Sequence, residues 1–357
     1  MDFLVKNALD TQKNLNWDVD TVGQATIKVV GVGGAGNNMV DWLFHKGVKG
    51  AEVIAINTDK VHLDAREADK KVLIGKETTK GLGAGGFPKV AEEAAKESTQ
   101  EIREVLKGAD MVFVCAGLGG GTGTGSAPVV AKLAKEQGAI VIGTVTMPFK
   151  IEKARIEKAE EGLAKLREVC DTVIVIDNNR LVQIAGGLPI NQAFGVANEL
   201  VATMIKGIVE VIAVPSLVNL DFADVKAIMT NGGVSVIGVG ESDSEGRVEE
   251  AVKRALSNPL LDVSYQGATG ALIHVTGGKD LTLDDVNRIG ELVTESLDSD
   301  AVVIWGARVN EDMTGRVRVM TIITGVKSPF ILGPVDFQKE AQEMARTMSR
   351  DLGIEML

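Results

Sequence analysis

The chain has 357 residues, 45% of them hydrophobic, and its 38 Lys and Arg against 49 Asp and Glu leave a net charge of −11. That length exceeds one typical core and suits two domains, while the acidic balance with three histidines and one tyrosine argues against a nucleic-acid binder. No apolar run reaches membrane-spanning length and the start, MDFLVKNALDTQKNLNW, is polar rather than a secretory leader, so a cytoplasmic protein is expected, with Cys115 and Cys170 as small buried thiols.

Residues 1–24 form an N-terminal extension, after which β-branched runs alternate with amphipathic stretches, the pattern of a parallel sheet with crossover helices. The first predicted strand, 25–30, runs into GVGGAGNN, which fits G-x-G-x-x-G at Gly31, Gly33 and Gly36. Such a turn brings backbone N–H groups and a helix N-terminus to a phosphate. A second strand, 51–56, ends at Asn57-Thr58-Asp59, and Asp59 stands where a ribose-binding acid would sit. Taken alone, this half reads as a dinucleotide-binding unit. A further glycine loop, GLGAGGFP (81–88, with Gly85), precedes a helix predicted over 89–106.

The third strand, 111–116, leads into GLGGGTGTG, Gly117 to Gly125. The following stretch, SAPVVAKLAKEQG, reads as a helix with Pro128 in its first turn and Gly138 at its C-terminal cap. The glycines therefore occupy a strand-to-helix turn, where Thr122 and Thr124 add hydroxyls; a branched side chain at Gly123 is expected to block a phosphate there. Three such loops can wrap a di- or triphosphate without a lysine. Phosphates so held need a cation, Mg2+, and with no zinc-like ligand spacing in the chain no protein metal site is expected. Strands at 139–146 and 172–177 complete the first domain, 25–190.

A long helix, 191–213, is stopped by Pro215 and forms a spine (191–214) to a second α/β domain, 215–335. There strands are predicted at 234–241, 270–278, 301–309 and 316–326, with helices over 246–258 and 282–297. Thr282 with Asp285 makes a capping box for the latter, and Asp221 with Asp224 has the same spacing ahead of VKAIMTNGG. Residues 336–357 are a polar tail. The expected architecture is α/β: a Rossmann-like parallel-sheet domain joined by a long central helix to a smaller α/β domain.

GGGTGTG, together with GVGGAGNN, INTD, GLGAGG, TMPF, NLDFADV and GARVNEDMTGRVRV in this order, resembles the FtsZ family, prokaryotic relatives of tubulin, over about residues 25–330. The wording PFKIEKARIEKAEEGL is closer to its archaeal members. The resemblance implies a cell-division GTPase that binds GTP and GDP with Mg2+ held mainly by the phosphates. It also implies head-to-tail polymerisation, a place at the mid-cell division site, and a membrane-tethering adaptor on the C-terminal tail. Carried over by position, Gly33, Gly34, Ala35 and Asn38 belong to the first phosphate loop, Asn57, Asp59 and Gly85 to its neighbours. Gly117, Gly119, Gly120, Gly121, Thr122, Gly123, Thr124 and Gly125 hold the remaining phosphate contacts. Glu152 and Arg155 resemble the family's ribose-side pair, although EKAR lacks a glycine and is one residue shorter; Asn178, Phe194 and Asn198 resemble the guanine site. Asn219, Asp221 and Asp224 resemble the catalytic group. A helix of roughly 20 residues is about 30 Å long, so they act on the nucleotide of the next subunit. Two other readings stay open: a filament scaffold that hydrolyses GTP weakly, from the altered EKAR, and an NAD-dependent oxidoreductase, from the first glycine turn alone.

Overall fold

The computed structural model describes residues 25–213, 216–218, 220–231, 235–257, 265–295, 297–326 and 331–332. Pro215, Asn219, the extension 1–24 and the tail lie outside them. The first sheet is built from β1 (Ile27–Val32), β2 (Ala51–Asn57), β3 (Lys70–Leu73), β4 (Met111–Gly117), β5 (Ile140–Met147) and β6 (Thr172–Asp177). These six pair in parallel in the order β3-β2-β1-β4-β5-β6. The second sheet contains β7 (Ser235–Ser242), β8 (Ala268–Gly277), β9 (Leu297–Val309) and β10 (Val317–Thr324) in the order β7-β10-β8-β9. A short β11 (Ile331–Leu332) returns to pair antiparallel with β6.

Burial on both faces explains the near-continuous apolar strands. Val30, Val32, Ile54, Val112 and Val114 face one layer, where they meet α3 (Pro88–Glu97), α4 (Thr99–Leu106) and α5 (Thr122–Glu136). Val29, Val53, Phe113 and Ile142 face the other, against α1 (Gly33–Lys46) and the central helix α8 (Ile190–Ala213). The same core continues past Ile205 and Ile208 of α8 into Val236, Leu272 and Ile322 of the second sheet, so α8 is shared by both domains. Both cysteines are free and buried, and burial pushes each thiol up to about 12, as expected of core residues.

Several boundaries differ from the sequence reading for physical reasons. The helix predicted over 89–106 is two helices broken at Ser98, whose hydroxyl accepts the buried Gly75 N–H at 3.0 Å. The strand β3 is short and charged, as an edge strand tends to be, and its alternation is too brief to read. Helix α5 begins at Thr122 inside the glycine run, so Pro128 sits in the helix interior rather than in its first turn. Gly138 does follow that helix in the left-handed region, φ +88. The Thr282–Asp285 capping box forms as predicted ahead of α11 (Leu283–Thr294).

Candidate functional site

The parallel order reverses between β1 and β4, and crevices for ligands in such sheets open beyond the carboxyl ends of strands at that point. The two loops leaving those strands pack directly on each other. A Cβ on Gly33 would lie 2.7 Å from the Gly123 nitrogen, and one on Gly117 would lie 2.5 Å from the Ala35 Cβ. Side chains at Gly33 and Gly117 would therefore push the two loops apart, and Gly34 and Ala35 are exposed on the first turn of α1. Two of the loop's residues also hold it together. A Cβ on Gly123 would meet the Gly117 carbonyl at 2.3 Å, so Gly123 serves strand–helix packing, and a side chain there would disturb the loop itself. Thr124 is buried with its hydroxyl accepting the Gly119 N–H at 2.9 Å, closing the loop internally. Gly120, by contrast, has open space where a side chain would be.

The ends of the other loops are stitched to this pair. The Thr58 and Thr122 hydroxyls lie 2.7 Å apart. The Gly83 N–H donates to the Thr58 carbonyl and the Lys60 N–H to that of Gly81. Gly81, Gly83, Gly85 and Gly86 all have positive φ, and Gly121 packs against Ala84 and Gly86. Asn57 accepts the Thr58 and Asp59 N–H groups through its oxygen, while the Asp59 carboxylate caps α2 (Lys60–Asp64) at the His62 N–H. His62, which its sequence position did not single out, lies over Gly34. Burial, with the Arg66 cation beside it, holds its imidazole below the usual histidine range. The Asn38 side-chain oxygen is buried without a protein donor, an acceptor suited to an N–H or O–H of a ligand.

Glu152 and Arg155 close the same cluster on its β5 side. They form an ion pair at 2.6 Å, Glu152 also accepts the Phe149 N–H, and the Arg155 backbone lies against Gly119. Between them Lys153 has φ +33, ahead of α6 (Ala154–Val169), a conformation that suits glycine. In the shortened EKAR segment a lysine thus carries a backbone conformation that costs it strain. Lys153→Gly should raise unfolding stability by about 1 kcal/mol, read from the denaturation midpoint; an unchanged or lower midpoint would contradict the strain.

Asn178 opens α7 (Asn178–Ala185) at the end of β6, and Phe194 and Asn198 sit one turn apart near the start of α8. Phe194 is 40% exposed and meets Phe149 edge-on with ring centroids 6.1 Å apart, so it is not simply a core residue. Phe149 is the last residue of TMPF, and the fold brings it against Phe194. At the far end of α8, past about 36 Å of helix, stand the two aspartates. The Asp221 carboxylate accepts the Asp224 N–H at 2.8 Å and that of Asp224 accepts the Asp221 N–H at 3.3 Å, at the start of α9 (Phe222–Asn231). The capping box expected from their spacing is formed. Asn219 lies outside the described residues.

Residues 26–186 match the Tubulin/FtsZ family, GTPase domain, and residues 233–327 the FtsZ family, C-terminal domain. Over 333 residues the chain is 60% identical to cell division protein FtsZ 2 of Methanocaldococcus jannaschii, covering 92% of this chain and 88% of that protein. It is 53% identical to cell division protein FtsZ 1 of the same organism over 306 residues, 85% of this chain and 84% of that one. An empty FtsZ dimer structure from M. jannaschii aligns with a TM-score of 0.77 and 50% identity over 90% of this chain and 91% of that one.

Proposed function

The chain belongs to the tubulin/FtsZ family and is a GTP-binding cell-division GTPase, and from that premise we propose that it hydrolyses GTP at junctions between its own copies. Each junction pairs the glycine loops of one copy with Asp221 and Asp224 of the next. The observation that carries this reading is the separation of the two halves by the length of α8. Neither half is complete alone, and stacking one copy's catalytic end on the next copy's loops repeats without closing, which gives a filament.

In this arrangement the backbone N–H groups of the loops and the first turns of α1 and α5 hold the phosphates. Phe194 stacks on the guanine, with Asn178 and Asn198 at its polar edge and Glu152 and Arg155 on the ribose side. Mg2+ bound with the phosphates would supply countercharge; the Thr58 and Thr122 hydroxyls and the Asp59 carboxylate are oxygen groups of the cluster that would hold it. The capping bonds hold one oxygen of each catalytic aspartate and fix its direction. The neighbour's carboxylate takes a proton from water as the oxygen attacks the γ-phosphorus. The bond to the β–γ bridging oxygen breaks, releasing GDP and phosphate.

The experiment is light scattering with GTP and Mg2+ alongside phosphate release over a range of chain concentrations. Turnover per chain should rise with concentration. GTP binding with filaments but negligible release would favour the scaffold reading instead. The dinucleotide reading, open to the first glycine turn alone, gives way to family membership.

The chain acts at the division site, and among the described residues no helix is long and apolar enough to cross a membrane. Its tail, 336–357, is proposed to carry the contact with a membrane-tethering adaptor. A chain ending at Phe337 should polymerise normally yet stay off the membrane in cells; loss of polymerisation would show that the tail belongs to the core.

A further inference from the structure

The loop that carries the catalytic aspartates is bound to the edge strand of the second sheet. Val218 and Ala307 of β9 exchange both backbone hydrogen bonds, at 3.0 and 3.3 Å, as an isolated antiparallel bridge. Beside it, a Cβ on Gly306 would lie 2.8 Å from the Val218 carbonyl oxygen and 2.8 Å from the Leu220 Cγ. Leu220 is 5% exposed and immediately precedes Asp221. The φ of Gly306 is outside the left-handed region, so its backbone would accept a side chain. Only the close approach of the loop requires glycine there. The loop is thereby held at three points: Val218 on the β9 backbone, Leu220 on the bare Gly306, and Asp221 in its capping box.

We propose that Gly306 is a positioning residue for GTP hydrolysis, one that lets β9 set where Asp221 and Asp224 meet the neighbouring copy's nucleotide. The inference rests on the shared-site reading above. A methyl group at Gly306 would force Val218 and Leu220 off the strand, carrying Asp221 with them. It would leave the glycine loops at the other end of α8 untouched. Displacements of about 1 Å in such a constellation can cost about a hundred-fold in rate.

Gly306→Ala should therefore bind GTP with wild-type affinity while its turnover falls about a hundred-fold. Gly246→Ala, in the same domain with nothing within 4 Å of the added methyl, should keep wild-type turnover. A misplaced loop is told from a damaged chain by mixing. Gly306→Ala chains added to chains expected to bind GTP too weakly to fill but to keep an intact catalytic loop (Gly120→Val) should regain turnover, because GTP on the first is hydrolysed by the second. Val218→Pro, which deletes the 3.0 Å donor from the loop side, should behave in the same way, and stands in if Gly306→Ala does not fold. Wild-type turnover by Gly306→Ala (or by Val218→Pro where it stands in), or no recovery on mixing, would overturn the inference. A parallel mixture of Asp224→Ala and Gly120→Val isolates the premise: its silence would sink the shared-site reading, and its activity beside a fully active Gly306→Ala would sink only the role of Gly306.

Discussion

Asp224→Ala should leave GTP bound and lower hydrolysis by about 10²–10⁴-fold, the usual cost of removing a group that takes or gives a proton in the transition state. Asp224 is the better residue to change because the two aspartates have unequal structural duties. Asp221 accepts the Asp224 N–H at 2.8 Å and so caps α9, whereas the Asp224 carboxylate makes the longer return bond, 3.3 Å, to the Asp221 N–H. Losing a cap costs about 1 kcal/mol, and losing the return bond alone should cost no more than that. The nucleotide loops lie at the other end of α8, so affinity should not move. Filaments should form and outlast wild-type filaments, since GTP persists at their junctions. A wild-type rate of phosphate release from Asp224→Ala would reduce the pair to a helix cap.

Gly120→Val should weaken GTP binding by roughly a hundred-fold or more without unfolding the chain, as a branched side chain would stand where loop N–H groups meet phosphate. The neighbouring glycines give no such clean result. A Cβ would strike the Gly117 carbonyl from Gly123, the Ala84 Cβ from Gly121, and the Pro88 carbonyl at 2.0 Å from Gly125. Variants there would fail through packing and say nothing of the ligand. Gly120 has nothing within 4 Å, so its thermal midpoint should stay near wild type while titration with labelled GTP reports the loss. Unchanged affinity would remove this part of the loop from the phosphate site.

Much of this arrangement was legible in the sequence because the constraint is local. Strands buried on both faces read as apolar runs, and a turn that must come close to other backbone reads as glycine. That signal does not separate a glycine with open space beside it from one that faces a carbonyl; hence Gly120, with nothing within 4 Å, and Gly123, against the Gly117 carbonyl, looked alike. Pro128 misplaced the start of α5, since proline is ordinarily confined to a first turn. The bond between Val218 and Ala307, like the contact of Phe149 with Phe194, joins residues far apart in the chain that share no spacing pattern. Only the packing of α8 between two sheets brings such residues together. The Asp221–Asp224 spacing foretold a capping box, and a capping box forms; the catalytic reading came from resemblance and from the length of α8, not from the cap.

Two chains expected to be inactive alone provide the most direct measurement. Asp224→Ala keeps its glycine loops and lacks the carboxylate proposed to act on the neighbour's GTP; Gly120→Val keeps that carboxylate and is expected to leave its own loops without GTP. Mixed in equal amounts at polymerising concentration, they should release phosphate at up to about a quarter of the wild-type rate, the fraction of head-to-tail junctions that join the two intact halves if both copolymerise at random. Dilution should abolish that activity. Phosphate release no greater than the sum of the two separate chains, in filaments shown to contain both, would contradict a site completed by the neighbouring copy.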